Sequence, residues 1–329
     1  MSITLGYSNE ESPPGMQNDA SFRALQYFHA ATARTLGGSA IAQVIEAIVR
    51  KTAGTTPYLL HMVLAVSTAH FRRLTSAHRS SKNLRCLRIT EAVHWQKGLQ
   101  LYQKRLSLAA FGHEFDSIVA TTFLAILFTF AMDDEVPSDA YTASDARSRS
   151  LSFGPWVAIT GFRALNCVRG ALSPESAFSP IVNWTHDVNE TLETVSGVEG
   201  IPAAFTELCE LTPSSNESNN PYCRILHLLA PLLQIENKAE NTTKLLAFIG
   251  RTWVNLRPLL AQKDTRALLL LSWWLVLLEH VNQWWVVTRA RTERKAIVEH
   301  LSTCSDPRVQ ALLVWPASHG SVDCSWIWT

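Results

Sequence analysis

Three histidines lie in or beside apolar helical stretches, where an imidazole could take part in chemistry. His61 follows the letters PYLL, and His94 directly precedes Trp95. His280 follows Glu279 at the end of the run ALLLLSWWLVLL. A neutral imidazole can accept a proton near pH 7, so each histidine is a candidate base or polarising group. An ordinary core or surface histidine explains each one as well.

Glu279 and His280 are the best candidates for polar anchors in a ligand site. They interrupt the longest apolar stretch of the chain. A charge that is buried there needs a partner, because desolvating an unpaired carboxylate is costly. We therefore predict that these two side chains are polar anchors for a ligand.

The residue spacing does not favour a metal or a cofactor. His61 and His70 are nine positions apart on one predicted helix, which places them on opposite sides of it. The six cysteines include no C-x-x-C pair, which argues against structural zinc and against a thiol–disulfide centre. The printed sequence also lacks the G-x-x-x-x-G-K, G-x-G-x-x-G and G-x-S-x-G motifs. We expect no metal ion and no cofactor.

An acidic triplet, Asp133-Asp134-Glu135, follows an apolar helix and is similar to the aspartate-rich motif with which terpene cyclases hold magnesium and diphosphate. The second metal motif of such enzymes, N-D-x-x-S-x-x-x-E, does not occur in the sequence. A solvated helix end is therefore the better interpretation of the triplet.

Two tryptophan pairs recur at an interval of eleven residues: Trp273 with Trp284, and Trp274 with Trp285. Eleven steps at 3.6 residues per turn return a side chain to within about 20° of its starting direction. We therefore predict one helix over residues 265–304 with two tryptophan stripes and a basic, solvent-facing second half. Core packing is the simpler explanation of the rings, and a cavity for a hydrophobic ligand is the alternative.

Apolar residues at helical spacing dominate the rest of the chain, and no alternating strand pattern with hairpin signals occurs. We predict an all-α, multi-helix single domain that encloses a hydrophobic pocket. The core helices are predicted at about 58–74, 94–108, 116–132 and 265–300. The pocket is expected between the last two, with Phe123, Phe128 and Met132 beside one tryptophan pair. Only one pair can face it, because neighbouring residues diverge by about 100° around a helix.

Polar segments set the predicted boundaries. Residues 1–18 are expected to form a disordered tail, and 19–329 to form the helical domain. Polar linkers are predicted at about 133–152 and 210–222.

Composition limits the classes of partner. The net charge of +1 gives no overall field that would attract nucleic acid or an anionic membrane. Residues 72–90 are basic but contain no aromatic side chain, so a solvated face or a phosphate-bearing ligand fits them better than nucleic acid. No apolar run reaches the length of about 18 residues that a membrane span requires. The N-terminus lacks a signal-peptide pattern, so we expect an intracellular protein, nuclear or cytoplasmic.

Four segments carry a family resemblance in their order along the chain: LLHMVLAVSTAHF, EAVHWQKGLQLYQKRLS, DSIVATTFLAILFTFA and WWLVLLEHVNQWWVVTRARTERKAI. From about Ser21 to about Leu301 the chain resembles the C-terminal regulatory domain of fungal zinc-cluster transcription factors of the sterol-uptake-control type. The resemblance implies an α-helical domain whose hydrophobic pocket takes sterol-like ligands, usually joined to a DNA-binding finger. The printed sequence contains no six-cysteine finger, so we expect no direct nucleic-acid binding by it.

Two functional hypotheses remain open. The first is a regulatory domain without its own DNA reader that binds a hydrophobic small molecule such as a sterol, terpenoid or polyketide, with a homodimer as an open alternative. The second is a cofactor-free cyclase or isomerase of fungal secondary metabolism. It would fold its substrate against apolar walls and polarise it with His61, His94 or His280.

Overall fold

The computed structural model describes residues 14–108, 114–132, 176–179, 196–236 and 238–328, with side chains from residue 20 onward. Its α-helices are α1 Pro14–Tyr27, α2 Ser39–Thr52, α3 Pro57–Thr75, α4 Ser81–Leu106, α5 Phe115–Ala131, α6 Ala203–Leu208, α7 Cys223–Leu229, α8 Thr242–Ala261, α9 Thr265–His280, α10 Val287–Leu301 and α11 Pro307–Ala317. Short 3₁₀ or π segments follow several of them. These ranges contain no β-strand, apart from an isolated bridge between Ser196 and Asn216. The prediction of an all-α protein is confirmed.

Helices α1–α5 form an N-terminal group around α3. The side chains of α3 from Met62 to His70 are buried without interruption, as expected for a helix that is apolar on every side. Helix α4 lies along α3, and a buried ion pair of 2.6 Å joins Arg72 of α3 to Glu91 of α4. Helix α5 packs against α3 and α4. The hydroxyl of Tyr102 on α4 lies 2.5 Å from Thr122 Oγ1 on α5.

Helices α6–α11 form a C-terminal group around α9. Twelve consecutive residues of α9, numbers 267–278, are buried. This helix begins with a capped turn, in which the Asp264 carboxylate accepts a hydrogen bond from the Ala267 amide at 2.8 Å. Helix α11 was not predicted from the sequence, although Asp306 and Pro307 form a typical helix start in front of it.

The prediction of one long helix over 265–304 was wrong. The helix ends at His280, turns follow through residue 286, and α10 starts at Val287. No glycine or proline lies at the break. Instead, Asn282 adopts the left-handed conformation, with φ of +49°, and this ends the helical path. Asparagine tolerates this region better than most residues, so it can end a helix as glycine does.

Predicted segment boundaries also differ from the structure. Helix α1 begins at Pro14, five residues before the expected start of order, and the prediction for residues 1–13 and for the linker at 133–152 lies outside the described residues. The predicted linker at 210–222 is a series of hydrogen-bonded turns. The Ser215 hydroxyl accepts the Thr212 amide at 2.9 Å, and Asn219 Oδ1 accepts the Asn216 amide at 2.7 Å.

The two groups share one hydrophobic core. The turn at 281–286 carries Trp284 and Trp285 into the N-terminal group, and Gly38 in front of α2 lies against Glu240. A Cβ atom at Gly38 would come within 2.9 Å of the Glu240 Cα, so the close approach requires a glycine there. None of the described helices combines the length and apolarity needed to cross a membrane.

Candidate functional site

Two of the three candidate histidines form a pair. His61 lies on α3 and His94 on α4, and their Nδ1 atoms are 2.9 Å apart. The ring centroids are 5.1 Å apart, and both rings are partly buried. Gly98, one turn after His94, also faces α3, and a Cβ added there would be in ordinary van der Waals contact with His61 Cβ at 3.4 Å. The sequence placed these two residues on separate helices but gave no sign that they meet.

Both rings of the pair are held neutral. Burial lowers the pKa of His94 to about 4, and the neighbouring His61 and Lys97 lower it further in the same direction. Burial and then Lys97 also lower the pKa of His61. A charged imidazole in this position would lose hydration and face a like charge, so the neutral forms persist at pH 7.

The hydrogen bond fixes complementary tautomers in the neutral pair. One ring donates from Nδ1 and therefore carries a basic Nε2, while the other accepts at Nδ1 and carries an acidic Nε2–H. The pair thus offers one proton-accepting and one proton-donating Nε2, which are the two kinds of group that a proton-transfer reaction requires. As expected from the nine-residue spacing, His70 does not join them and instead bonds Thr32 at 3.0 Å.

The third histidine lies elsewhere, at the end of α9. His280 Nε2 is 2.9 Å from the His319 carbonyl oxygen, and its ring meets the edge of Trp315. The Cβ position of Gly320 lies 2.7 Å from His280 Cε1, so the loop after α11 closes tightly over the ring. His280 therefore has a structural role in attaching this loop to α9.

The buried Glu279 side chain is paired with a cation of the protein, and the prediction that it anchors a ligand stays a prediction. Its carboxylate accepts a 2.5 Å hydrogen bond from Arg294 Nε, and the two side chains are 7% and 1% exposed. Arg294 also donates to the Pro316 carbonyl at 2.6 Å and contacts His319 Nδ1 at 2.8 Å. The prediction that the second half of the long helix faces solvent was wrong for Arg294 and Arg289, which are both buried.

The two tryptophans of α9, Trp273 and Trp274, both pack against other helices. Trp273 stacks on Trp315 of α11 at a centroid distance of 4.3 Å and donates from Nε1 to the Leu312 carbonyl. Trp274 points to α8, where it donates to the Leu245 carbonyl at 2.8 Å. Both rings are fully buried. The two neighbours therefore attach α9 to two different helices, which is the core-packing explanation.

The two tryptophans of the turn after α9 lie in what we call the tryptophan corner, which consists of Thr35, His70, Phe130, Trp284 and Trp285. Trp284 stacks on His70 at 4.7 Å and donates from Nε1 to Thr35 Oγ1 at 2.9 Å. Trp285 lies beside Phe130 of α5, with ring centroids 6.1 Å apart. Burial lowers the pKa of His70 to about 4, so this ring is neutral and stacks as an aromatic group.

Trp285 differs from the other three tryptophans in its polar atom. Its side chain is 1% exposed, and Nε1–H has no hydrogen-bond acceptor among the described residues. A buried donor without an acceptor costs about 1–3 kcal/mol, so native proteins rarely leave one unpaired. The break after His280 separates the members of the predicted pairs, Trp273 with Trp284 and Trp274 with Trp285. That one of these pairs lines a cavity stays a prediction, and Trp285 is the ring of the four whose polar atom lacks an acceptor among the described residues.

The end of α5 completes the surroundings of the corner. Arg73 of α3 donates to the Ala131 carbonyl at 2.7 Å, and Arg289 of α10 donates to the Met132 carbonyl at 3.1 Å. These cations lie where the helix dipole is negative. Met132 itself is 45% exposed, which leaves a flexible apolar side chain at the edge.

The two other candidates on α5 are buried. Phe128 stacks on Trp95 of α4, with ring centroids 4.5 Å apart. Trp95 directly follows His94 in the sequence. Phe123 is 4% exposed and belongs to the shared core. Helix α5 thus connects the histidine pair, through Trp95 and Phe128, with the tryptophan corner, through Phe130.

An open cleft of about 260 Å³ lies between the start of α3 and the end of α4. Arg105 donates to Glu114 at 2.6 Å in its wall, and burial, followed by Glu114, raises the pKa of Tyr58. The cleft was not predicted, because its residues share no sequence motif. Its lining comprises Thr55, Thr56, Pro57, Tyr58, Leu101, Lys104, Arg105, Leu108 and Glu114.

No group of three or more potential metal ligands occurs within the part of the chain that the structure describes. The acidic triplet at 133–135 lies outside that part. No family model matches the sequence, and no curated protein or solved structure matches it.

Proposed function

We propose that the chain is a regulatory-type helical domain that binds a hydrophobic small molecule with a hydrogen-bond acceptor, such as a sterol, a terpenoid or a polyketide. The observation that carries the proposal is the buried Nε1–H of Trp285, which has no acceptor among the described residues. A hydroxyl or carbonyl oxygen of a ligand would accept a hydrogen bond from this N–H group. Phe130 and the half-exposed Met132 would contact the apolar body of the ligand. The resemblance of the sequence to ligand-binding regulatory domains supports the same conclusion.

The location suits regulation because the tryptophan corner joins the two helix groups. Trp284 and Trp285 belong to the turn between α9 and α10, while Thr35, His70 and Phe130 belong to the N-terminal group. A ligand at Trp285 would contact both groups at once. It would shift their packing to the extent that it binds one arrangement more tightly than the other.

Dehydroergosterol, a fluorescent sterol, provides the test. Its 3-hydroxyl oxygen can accept from Trp285 and its absorption overlaps tryptophan emission, so binding appears as saturable energy transfer. Replacing Trp285 by Phe keeps an aromatic ring and removes the donor, and we expect affinity to fall about fivefold to tenfold, the value of one net hydrogen bond.

Trp328→Phe is the matched control, because Trp328 is 39% exposed and lies outside the corner. It should bind dehydroergosterol as tightly as the wild type. Absence of saturable transfer at micromolar sterol, or equal affinity of the Trp285→Phe variant, would contradict the proposal.

The histidine pair favours the second hypothesis, a cofactor-free isomerase or cyclase. Its two neutral rings present a base and an acid. In an isomerase the basic Nε2 would take a proton from a carbon beside a ketone while the Nε2–H of the other ring donates its proton to the ketone oxygen, which gives an enol. The first ring would then deliver its proton to a different carbon of the enol, and the enol O–H proton would return to the second ring.

Progesterone in deuterated water tests this chemistry through the exchange of its acidic C–H hydrogens, followed by mass spectrometry. The enzyme hypothesis expects exchange that His94→Gln abolishes and that His280→Gln leaves unchanged, because His280 lies apart from the pair. Exchange at the uncatalysed rate, or equal loss in both variants, would count against the pair as a catalytic site.

A further inference from the structure

Helix α4 presents one continuous exposed face along its 26 residues. At 100° per residue, ten side chains point within about 60° of one direction. All ten are exposed, and Ile89 and Val93 near the middle are 55% and 56% exposed. We call this face the α4 stripe, and it comprises Lys82, Arg85, Cys86, Ile89, Val93, Gln96, Lys97, Gln100, Gln103 and Lys104.

The opposite face of α4 holds the helix on the protein. Its buried residues are Glu91, Gly98 and Tyr102. Glu91 pairs with Arg72 of α3, Gly98 lies against α3, and Tyr102 contacts Thr122 of α5. The stripe is therefore not needed for the packing of α4 within the described residues. Ile89 and Val93, one turn apart, form a small exposed apolar contact in the middle of this face.

The charge of the stripe is of one sign. Cationic side chains lie on both sides of its apolar middle, with Lys82 and Arg85 before it and Lys97 and Lys104 after it. No acidic residue belongs to the stripe, because the single acidic residue of α4, Glu91, lies on the opposite, buried face. The arrangement is an apolar pair between two cationic ends.

We propose that the α4 stripe is a docking surface for an acidic amphipathic helix of another protein. Such a helix would place apolar side chains at i and i+4 against Ile89 and Val93, and carboxylates against the two cationic ends. The apolar contact supplies burial, while the flanking charges set the register and speed the encounter.

A second copy of this chain does not fit the stripe. A parallel pair would place every cation against itself. An antiparallel pair centred between Ile89 and Val93 would place Arg85 against Lys97. Like charges repel in both arrangements, so self-association through this face is disfavoured.

A membrane surface and nucleic acid fit it less well than an acidic helix. Interfacial helices insert a broad apolar face rich in Trp, Phe or Leu, whereas the stripe offers one Ile and one Val between longer cationic side chains. Single-stranded nucleic acid prefers aromatic stacking platforms, and the stripe has no aromatic residue.

The probe is a synthetic 25-residue helix with two leucines at i and i+4 in its middle and glutamates at the positions that would meet the four cations. A second peptide of identical composition carries its glutamates on the face opposite the leucines. We expect micromolar binding of the first peptide to the full chain at low salt, at least tenfold weaker binding of the second, and weakening of both by added salt.

Variants of the chain test both parts of the surface. Ile89→Ser with Val93→Ser, and separately Lys82→Glu with Arg85→Glu, should each weaken peptide binding about tenfold. The matched control is Lys244→Glu with Arg257→Glu, which makes the same change in charge on exposed positions of α8 and should bind as the wild type does. Circular dichroism checks that every variant is folded.

Cys86 supplies an independent readout, because its exposed thiol lies within the stripe. Bound peptide should slow the alkylation of Cys86 by N-ethylmaleimide in proportion to occupancy, as measured by mass spectrometry. The proposal is overturned if the two peptides bind equally, if the stripe variants bind like the wild type, or if phosphatidylserine vesicles protect Cys86 while the peptide does not. None of these outcomes depends on sterol binding at Trp285.

Discussion

The Glu279 carboxylate depends on Arg294, because both side chains are removed from water. Replacing Arg294 by Met removes the closest cation and leaves the buried carboxylate with Arg291 at 3.4 Å. We expect the free energy of unfolding to fall by about 3 kcal/mol, the lower end of the range for a broken buried ion pair. Arg291→Met is the control, since Arg291 is 53% exposed and contacts the same carboxylate at 3.4 Å. Its loss should cost less than about 1 kcal/mol. Urea unfolding of both variants measures the difference, and equal small losses would show that the pair with Arg294 contributes little.

Neutral buried histidines make stability depend on pH. The folded-state pKa values of His94 and His70 are lowered to about 4, below the unfolded value of about 6.5, so protons bind preferentially to the unfolded chain. Their contribution is complete above pH 6.5 and is lost as the pH falls from 6.5 towards 4. We expect the urea midpoint to fall across this window in the wild type.

The His94→Gln variant isolates one of these groups. It removes one titrating ring, so its midpoint should fall less steeply between pH 6.5 and 4.5 than that of the wild type. His78→Gln, at an exposed position, should keep the wild-type slope. Identical slopes in all three proteins would mean that His94 is not held neutral by the fold.

At the level of elements, the break between α9 and α10 depends on one backbone conformation. Asn282 has φ of +49° and is exposed, so side-chain packing does not decide the effect of replacing it. Asn282→Gly should be close to neutral, whereas a β-branched Asn282→Val should lower the free energy of unfolding by about 1–3 kcal/mol. Thermal and urea unfolding of the two variants test this. A stable Val variant would indicate that packing of the two tryptophans, rather than the left-handed residue, produces the turn.

The break between α9 and α10 could not be predicted from the hydrophobic periodicity of the sequence. Periodicity correctly predicted the helical class and most helices, because burial of an apolar face sets that pattern. The same periodicity continued across Asn282, so an eleven-residue recurrence suggested one helix where there are two. The signal that could have corrected it was an asparagine between two apolar stretches, which is weak compared with glycine.

The candidate site was predictable by residue type and not by arrangement. Burial of Glu279 required a partner, and the sequence could not show that Arg294, fifteen positions later, turns back to meet it across the break. The pairing of His61 with His94 likewise depends on the relative rotation of α3 and α4, which helical spacing within each segment does not determine.

For the whole molecule, Arg73 links the two helix groups through hydrogen bonds to both of them. Its guanidinium donates to the Ala131 carbonyl of α5 at 2.7 Å, to the Trp284 carbonyl at 3.2 Å and to Thr288 Oγ1 at 3.1 Å. The Arg73 guanidinium thus binds α5, the turn at 281–286 and α10. Hydrogen bonds to a charged donor contribute more than neutral ones, and their loss leaves carbonyls at a helix end without a donor.

Replacing Arg73 by Met should therefore lower the free energy of unfolding by about 2–4 kcal/mol and loosen the junction before the rest of the core. Hydrogen exchange followed by mass spectrometry should show faster exchange at the end of α5 and in the turn at 281–286, with α8 unchanged. Arg79→Met is the control, because Arg79 is exposed and lies over the Phe71 ring, away from the junction. Uniformly faster exchange would instead mean that the two groups unfold as one unit, so that a ligand at Trp285 would stabilise the whole domain rather than shift one group against the other.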